Sequence, residues 1–232
     1  MNLMKMRKLI ISQVMTVSVV LSAFAQGTFE NLNFEQANPV SSGVGYAPYD
    51  VTAATALPYW TVTIGGVQQT QIPENAPSLG SPEVMLVGPG GPTAALDGNY
   101  SVLLEGSDAI ASISQTGLIP GGTQSLLFEA EKGFGGGGNG NLSVLIGTQT
   151  LSITPLATQP TYTLYGANIS AWAGQSEELT FSALEGGLNN WTIDDISFSP
   201  GAVPEPNPLA LTAIGGLLFA VYRPFAPKRQ SA

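Results

Sequence analysis

An all-β fold, an antiparallel sandwich of the jelly-roll kind flanked by an N-terminal signal helix and a C-terminal hydrophobic helix, is the class this sequence predicts. Three observations point to it. Apolar and polar residues alternate over short runs, and helical spacing is not sustained between the two ends of the chain. Gly, Pro, Asn and Ser punctuate those runs at intervals of roughly 8 to 12 residues, as in sandwiches and barrels. With 28 Gly and 17 Pro in 232 residues, turns are frequent.

The chain opens with Lys5, Arg7 and Lys8, continues through an apolar stretch over 9–21, and reaches Ala23-Phe24-Ala25. A charged region, an apolar region and a small-residue site make residues 1–25 a secretory signal peptide, with Ala23 and Ala25 directing signal peptidase to cut before Gln26. The apolar stretch is short for a membrane span.

The body, residues 26–202, suffices for one well-buried domain. Its clearest alternations lie at 60–64, 100–104, 125–130, 142–146, 162–165, 178–181 and 192–198. In the third of these Leu126, Phe128 and Ala130 share one face, while Leu127, Glu129 and the following Glu131 share the other. Residues 37–57, rich in Ser, Gly, Ala and Pro, read as a long loop across the end of the sandwich. The glycine-rich stretch 133–140 lacks the Gly-Lys-Ser/Thr ending of a phosphate-binding loop and reads as an inter-strand loop.

Charge is unevenly placed. Of 7 basic residues only Lys132 lies in the body, against every acidic residue of the 16 except Glu205, a formal balance of −14. Such a surface repels nucleic-acid phosphates, so nucleic acid is excluded as a partner.

The final segment, 203–232, begins with Val203-Pro204-Glu205-Pro206, a stiff extended stretch. An apolar run over 209–222 follows, about 21 Å long as a helix against roughly 30 Å of hydrocarbon, and then Arg223, Lys228 and Arg229. This order resembles the PEP-CTERM sorting signal presented to an exosortase. The resemblance implies processing near the Pro-Glu-Pro motif, transient retention of the 209–222 helix in the inner membrane, and basic residues on the cytoplasmic side. The exported chain would then reach the cell surface or the extracellular matrix. Pro224 and Pro227 depart from the compact arginine cluster usual in that family.

A second resemblance covers most of the body. Asn33-Phe34-Glu35, Leu57-Pro58-Tyr59-Trp60-Thr61-Val62, Gly98-Asn99-Tyr100-Ser101-Val102, Ile113-Ser114-Gln115-Thr116, Leu127-Phe128-Glu129-Ala130 and Ile193-Asp194-Asp195-Ile196 occur in an order similar to galactose-binding-like jelly rolls, which include many carbohydrate-binding modules. Tyr59 stands where relatives often carry Gly. The resemblance implies a structural calcium ion tying an early strand to the last, with Glu35 and Asp194 or Asp195 as side-chain ligands; calcium takes oxygen ligands.

Histidine and cysteine are both absent, which removes Ser-His, Cys-His and thiolate chemistry. A catalyst here would run on carboxylates, for which Glu129 with Glu131, Glu177-Glu178 and Asp194-Asp195 are candidates. The spaced Glu-x-Asp-x-x-Glu pattern of jelly-roll glycosidases does not occur. The reading is therefore a non-enzymatic protein of the extracellular polysaccharide matrix. Alternatives are a calcium-stabilised carbohydrate-binding module with a specific sugar site, and a carboxylate glycosidase. Aromatic rings stack on sugar faces, which makes Trp172, Trp60 and Tyr59 candidate contacts, with Trp172 the expected exposed platform. Trp191 is expected in the core.

Overall fold

The computed structural model describes residues 28–43, 45, 49–78, 80–133 and 140–203. The signal-peptide site at Ala23, Ala25 and Gln26, the sorting residues Pro204, Glu205 and Pro206, the 209–222 helix with Arg223, Lys228 and Arg229, and most of the glycine-rich loop lie outside these residues.

In chain order the elements are β1 (Asp50–Thr52), a single helical turn α1 (Ala53–Ala56), β2 (Thr61–Ile64), β3 (Val67–Gln68), β4 (Gln71–Pro73), β5 (Glu83–Val87), β6 (Ser101–Gly106) and β7 (Ala111–Leu118). There follow β8 (Ser125–Lys132), β9 (Leu142–Ile146), β10 (Gln149–Thr150), β11 (Thr154–Thr158), β12 (Thr163–Asn168), a 3-10 turn at Ser170–Trp172, β13 (Ser176–Ala183) and β14 (Asn189–Ser199). The described chain is all-β apart from these two helical turns. Two antiparallel sheets form a sandwich, ordered β10-β9-β13-β7-β2-β3 and β11-β12-β8-β14-β6-β5. Among the described residues no helix is long and apolar enough to cross a membrane.

Period-two alternation decides which side chains enter the core. From the first sheet come Val62, Ile113, Val144, Leu179 and Phe181; from the second come Leu104, Leu126, Phe128, Trp191 and Ile193. Phe128 meets Phe181 edge-on at 5.1 Å between ring centres and stacks on Tyr165 at 5.6 Å, locking the two sheets together.

Two segments depart from the expected pattern. Residues 37–57 are only partly a loop: β1 pairs with β4, and Val51, Ala53, Ala56 and Leu57 are buried in the core. Glu83–Val87 is a strand without alternation, because all five of its residues are buried. Its outward Met85 and Val87 pack with Leu103 as a small second cluster.

That second cluster marks the outer face of the second sheet, and loops close half of that face. Ser78 N donates to Glu83 Oε1 and Gly80 N to Glu105 Oε1, while Leu96 N donates to Ser101 Oγ and Asp97 N to Asp194 Oδ2. These bonds hold the segments before β5 and before β6 over β5, β6 and the middle of β14. Over β8 and β12, Leu156 and Val203 pack at the Leu127–Gly166 pair, and the face is exposed only toward its Glu131 end.

Candidate functional site

On this outer face β8 presents Glu129 and Glu131, opposite to Phe128 and Ala130. Glu129 pairs with Leu164 of β12 on one side and with Asp194 of β14 on the other. Tyr162, arriving from the β11–β12 turn, reaches diagonally to hydrogen-bond the Glu129 carboxylate. Glu129 is only 8% exposed, and its Oε2 has no hydrogen-bond partner. Burial pushes its pKa up; the Tyr162 bond opposes this, and the charges of Asp195 and Asp97 add to the rise. Beside it lies an open hollow of about 260 Å³ lined by Glu131, Lys132, Gln159, Thr161, Tyr162 and Tyr165. Lys132 Nζ sits 5.8 Å from the centre of the Trp191 ring.

A bulge sets the position of Asp195. The β8–β14 register shifts between Asp194 and Ser197, and Asp195 within it adopts a φ of 43°. The extra residue sends Asp195 into solvent next to Glu129, whereas Asp194 turns down into the covered half of the face.

Asp194 is 1% exposed. Its Oδ2 accepts from Ser101 Oγ at 2.6 Å and from Asp97 N at 3.2 Å, and its Oδ1 accepts from Asp195 N at 2.8 Å. Burial raises its pKa to about 7 in spite of these bonds. Glu35 grips the same segment from its other side: Oε1 accepts from Asn99 N at 2.7 Å and Tyr100 N at 2.9 Å, and Oε2 from Asn99 Nδ2 at 2.9 Å. Burial pushes Glu35 up, but the Asn99 and Tyr100 bonds outweigh it and hold its pKa below the ordinary value.

Glu35, Asp194 and Asp195, expected as calcium ligands, are thus not gathered at one point. Among the described residues no group of three carboxylates is placed to hold a metal ion. The oxygens of Glu35 and Asp194 face N–H and O–H donors, which present positive hydrogens where a cation would need more oxygens. As arranged, the set does not fit calcium; it is a hydrogen-bonded clasp on residues 97–101.

The expected aromatic contacts divide three ways. Trp60 is 6% exposed, packs on Phe34 at 5.7 Å and donates Nε1–H to Asn31 O at 3.0 Å, so it is a core residue and not an available sugar platform. Trp172, in the 3-10 turn, is half-buried against the core rather than a free platform. Tyr59 is 56% exposed, and the Glu30 charge and hydrogen bond push its phenol pKa up. Its φ of 71° is the left-handed conformation that favours glycine, which explains why a glycine suits this position. Tyr59 precedes β2 of the first sheet, so it does not join Tyr162 on the second. The sequence reading missed Tyr162 as a contact, although it lies two residues past Pro160 at the head of a strand in register with β8.

No family model matches this sequence, and no curated protein matches it. Solved structures show partial likeness. TmCBM61 in complex with β-1,4-galactotriose is similar at 14% identity and a TM-score of 0.36, over 75% of this chain and 98% of that one. The family 11 carbohydrate-binding module from Clostridium thermocellum, in complex with a β-1,3-1,4-mixed-linked tetrasaccharide, is similar at 8% identity and a TM-score of 0.35, over 64% of this chain and 92% of that one. The enzymatically active domain of bacteriophage CBA120 tailspike protein 4 is similar at 16% identity and a TM-score of 0.37, over 61% of this chain and 19% of that one. At these values the likeness assigns no family.

Proposed function

We propose that this chain is an exported, surface-sorted bacterial protein whose β-sandwich binds extracellular polysaccharide without hydrolysing it. The observation that carries the binding half is the hollow at the exposed end of β8 and β12, which Tyr162 and Glu131 line and where Tyr162 also neighbours Glu129. A flat amphipathic ring beside carboxylate and hydroxyl groups is the chemistry that holds a sugar ring, stacking on its C–H face and accepting from its hydroxyls.

Binding is favoured over hydrolysis by where the acids stand. Glu129 and Glu131 on β8 and Asp195 on the adjoining β14 all rise from one face of one sheet, so all three approach a sugar from the same side. Glycoside hydrolysis needs two carboxylates flanking the scissile bond. Asp194, directly across from Glu129, is covered, and its oxygens are committed to the 97–101 segment and to Asp195 N.

The sorting half rests on the two ends of the sequence. Signal peptidase would release the chain at Gln26, the 209–222 helix would hold it briefly in the inner membrane, and an exosortase would act near Val203-Pro204-Glu205-Pro206 before delivery to the cell surface or matrix. Calorimetric titration of the full chain with β-1,4-galactan and mixed-linked β-glucan oligosaccharides, with product analysis after long incubation, tests the binding half. Saturable binding without new reducing ends is expected. Cleavage of either glycan would replace it with the glycosidase reading.

A further inference from the structure

On the covered half of the second sheet, two buried acceptors without a partner belong to register partners: Glu105 Oε2 on β6 and Asn190 Oδ1 on β14. Glu83 of β5 stands opposite Glu105 on its other side, so the three side chains form one row on the outer face. Glu105 is 0% exposed, Asn190 2% and Glu83 6%. The segment before β5 closes over this row. Ser78 N donates to Glu83 Oε1 at 2.9 Å, Gly80 N donates to Glu105 Oε1, and Ser107 Oγ donates to Gly80 O at 2.8 Å.

An acceptor sealed from water normally has a donor, and directly opposed side chains on one face of a sheet are within reach of each other. Here both orphaned atoms are acceptors. A carboxylate cannot donate, whereas a carboxylic acid carries one O–H. The row therefore lacks a single hydrogen, and a proton on Glu105 Oε2 would satisfy both atoms at once. It would also remove the repulsion between two carboxylates set opposite each other. Glu83 is the less suited holder, since its second oxygen is not among the sealed, unpartnered atoms.

We propose that Glu105 is a protonated latch: at neutral pH it donates Oε2–H to Asn190 Oδ1, and loss of that proton at alkaline pH releases the 78–80 segment from the sheet. The groups facing Glu105 favour the neutral form. From β5 it meets the acid Glu83, from β14 the uncharged Asn190, and from the covering segment the Gly80 N–H. The one cation among the described residues, Lys132, lies over the Trp191 ring instead. Burial pushes Glu105 up against the Gly80 bond; burial pushes Glu83 up as well, against its Ser78 bonds and helped by the Glu105 charge. A group raised in the folded state loses its contribution as pH climbs through its folded pKa, so the latch opens on the alkaline side. Met85, Val87 and Leu103, the apolar cluster one pair along the same face, lie next to the segment that loosens.

Two measurements on the full chain test this. Carbon-13 titration of the Glu105 side-chain carboxyl reads the proton directly, and amide exchange at Ser78 and Gly80, corrected for the intrinsic pH dependence of exchange, reads the segment. Glu105 should be neutral at pH 6, and protection at Gly80 should fall by at least about tenfold between pH 6 and pH 9. Glu105→Gln places an N–H donor where the acid had its O–H and cannot ionise, so its protection should stay within about twofold over the same range. An ionised Glu105 at pH 6, with the Asn190 amide nitrogen as its donor, would overturn the latch. So would native protection as flat as that of Glu105→Gln, or protection restored at pH 9 by added sodium or calcium, which would put a cation in the place of the proton. The carboxyl titration uses the native chain and decides the matter even where Glu105→Gln fails to fold.

Discussion

Ser101 Oγ donates to Asp194 Oδ2 at 2.6 Å, joining β6 to β14 at a point sealed from solvent. The carboxylate is held by donors and yet titrates near 7, because burial outweighs the bonds. A carboxyl raised in the folded state binds its proton there more tightly than in the unfolded chain, so protonation favours folding. Burial also pushes Glu83, Glu105 and Glu129 up, in the same direction. The melting temperature should therefore rise as pH falls from 8 toward 5. In Asp194→Asn the rise should be shallower, with a cost that is present at every pH. A melting temperature that falls over this window would contradict the account.

Glu35 has the opposite sign. Its lowered pKa contributes stability above the ordinary carboxylate range and loses it only as pH falls below about 4.5. Removing its three hydrogen bonds in Glu35→Ala should cost about 1–3 kcal/mol and increase amide exchange at Asn99 and Tyr100. Because donors rather than oxygens surround Glu35 and Asp194, a chelator should leave the melting temperature unchanged. A chelator-induced drop that Glu35→Ala abolishes would show that a cation takes the place of these contacts.

Tyr59 holds a left-handed backbone at a cost of about 1 kcal/mol. Tyr59→Gly should recover that amount and raise the melting temperature by roughly 2–4 °C. Glycan affinity should be unchanged, since Tyr59 lies on the other sheet from Tyr162. Loss of binding in this variant would move the site.

Sorting is testable in cells. Glu205→Ala should trap unprocessed protein in the inner membrane. Unchanged delivery to the surface would contradict the exosortase proposal.

The sandwich was legible because parity is a local property. Leu126, Phe128 and Ala130 against Leu127, Glu129 and Glu131 already divide β8 into a core face and an outer face. β5 was not legible, since loops bury both its faces and leave a continuous apolar run in place of alternation. Trp60 could be placed on a strand but not inside or outside it; its burial depends on Phe34 and the Asn31 carbonyl, more than twenty residues away in sequence. Glu35 and Asp194 were readable as acids. That they clasp one segment from two sides, leaving Glu129 and Asp195 to face outward, depends on the β14 bulge and a long-range register that no local pattern encodes.

The central claim is that the Tyr162–Glu129 face binds a glycan. It is tested most directly by titrating the full chain and Tyr162→Ala side by side with oligosaccharides, with circular dichroism confirming that both are folded. Saturable binding by the native chain, weakened by about 1–3 kcal/mol in Tyr162→Ala, is the expected result for a stacking ring. Equal affinity in the two folded proteins would contradict it.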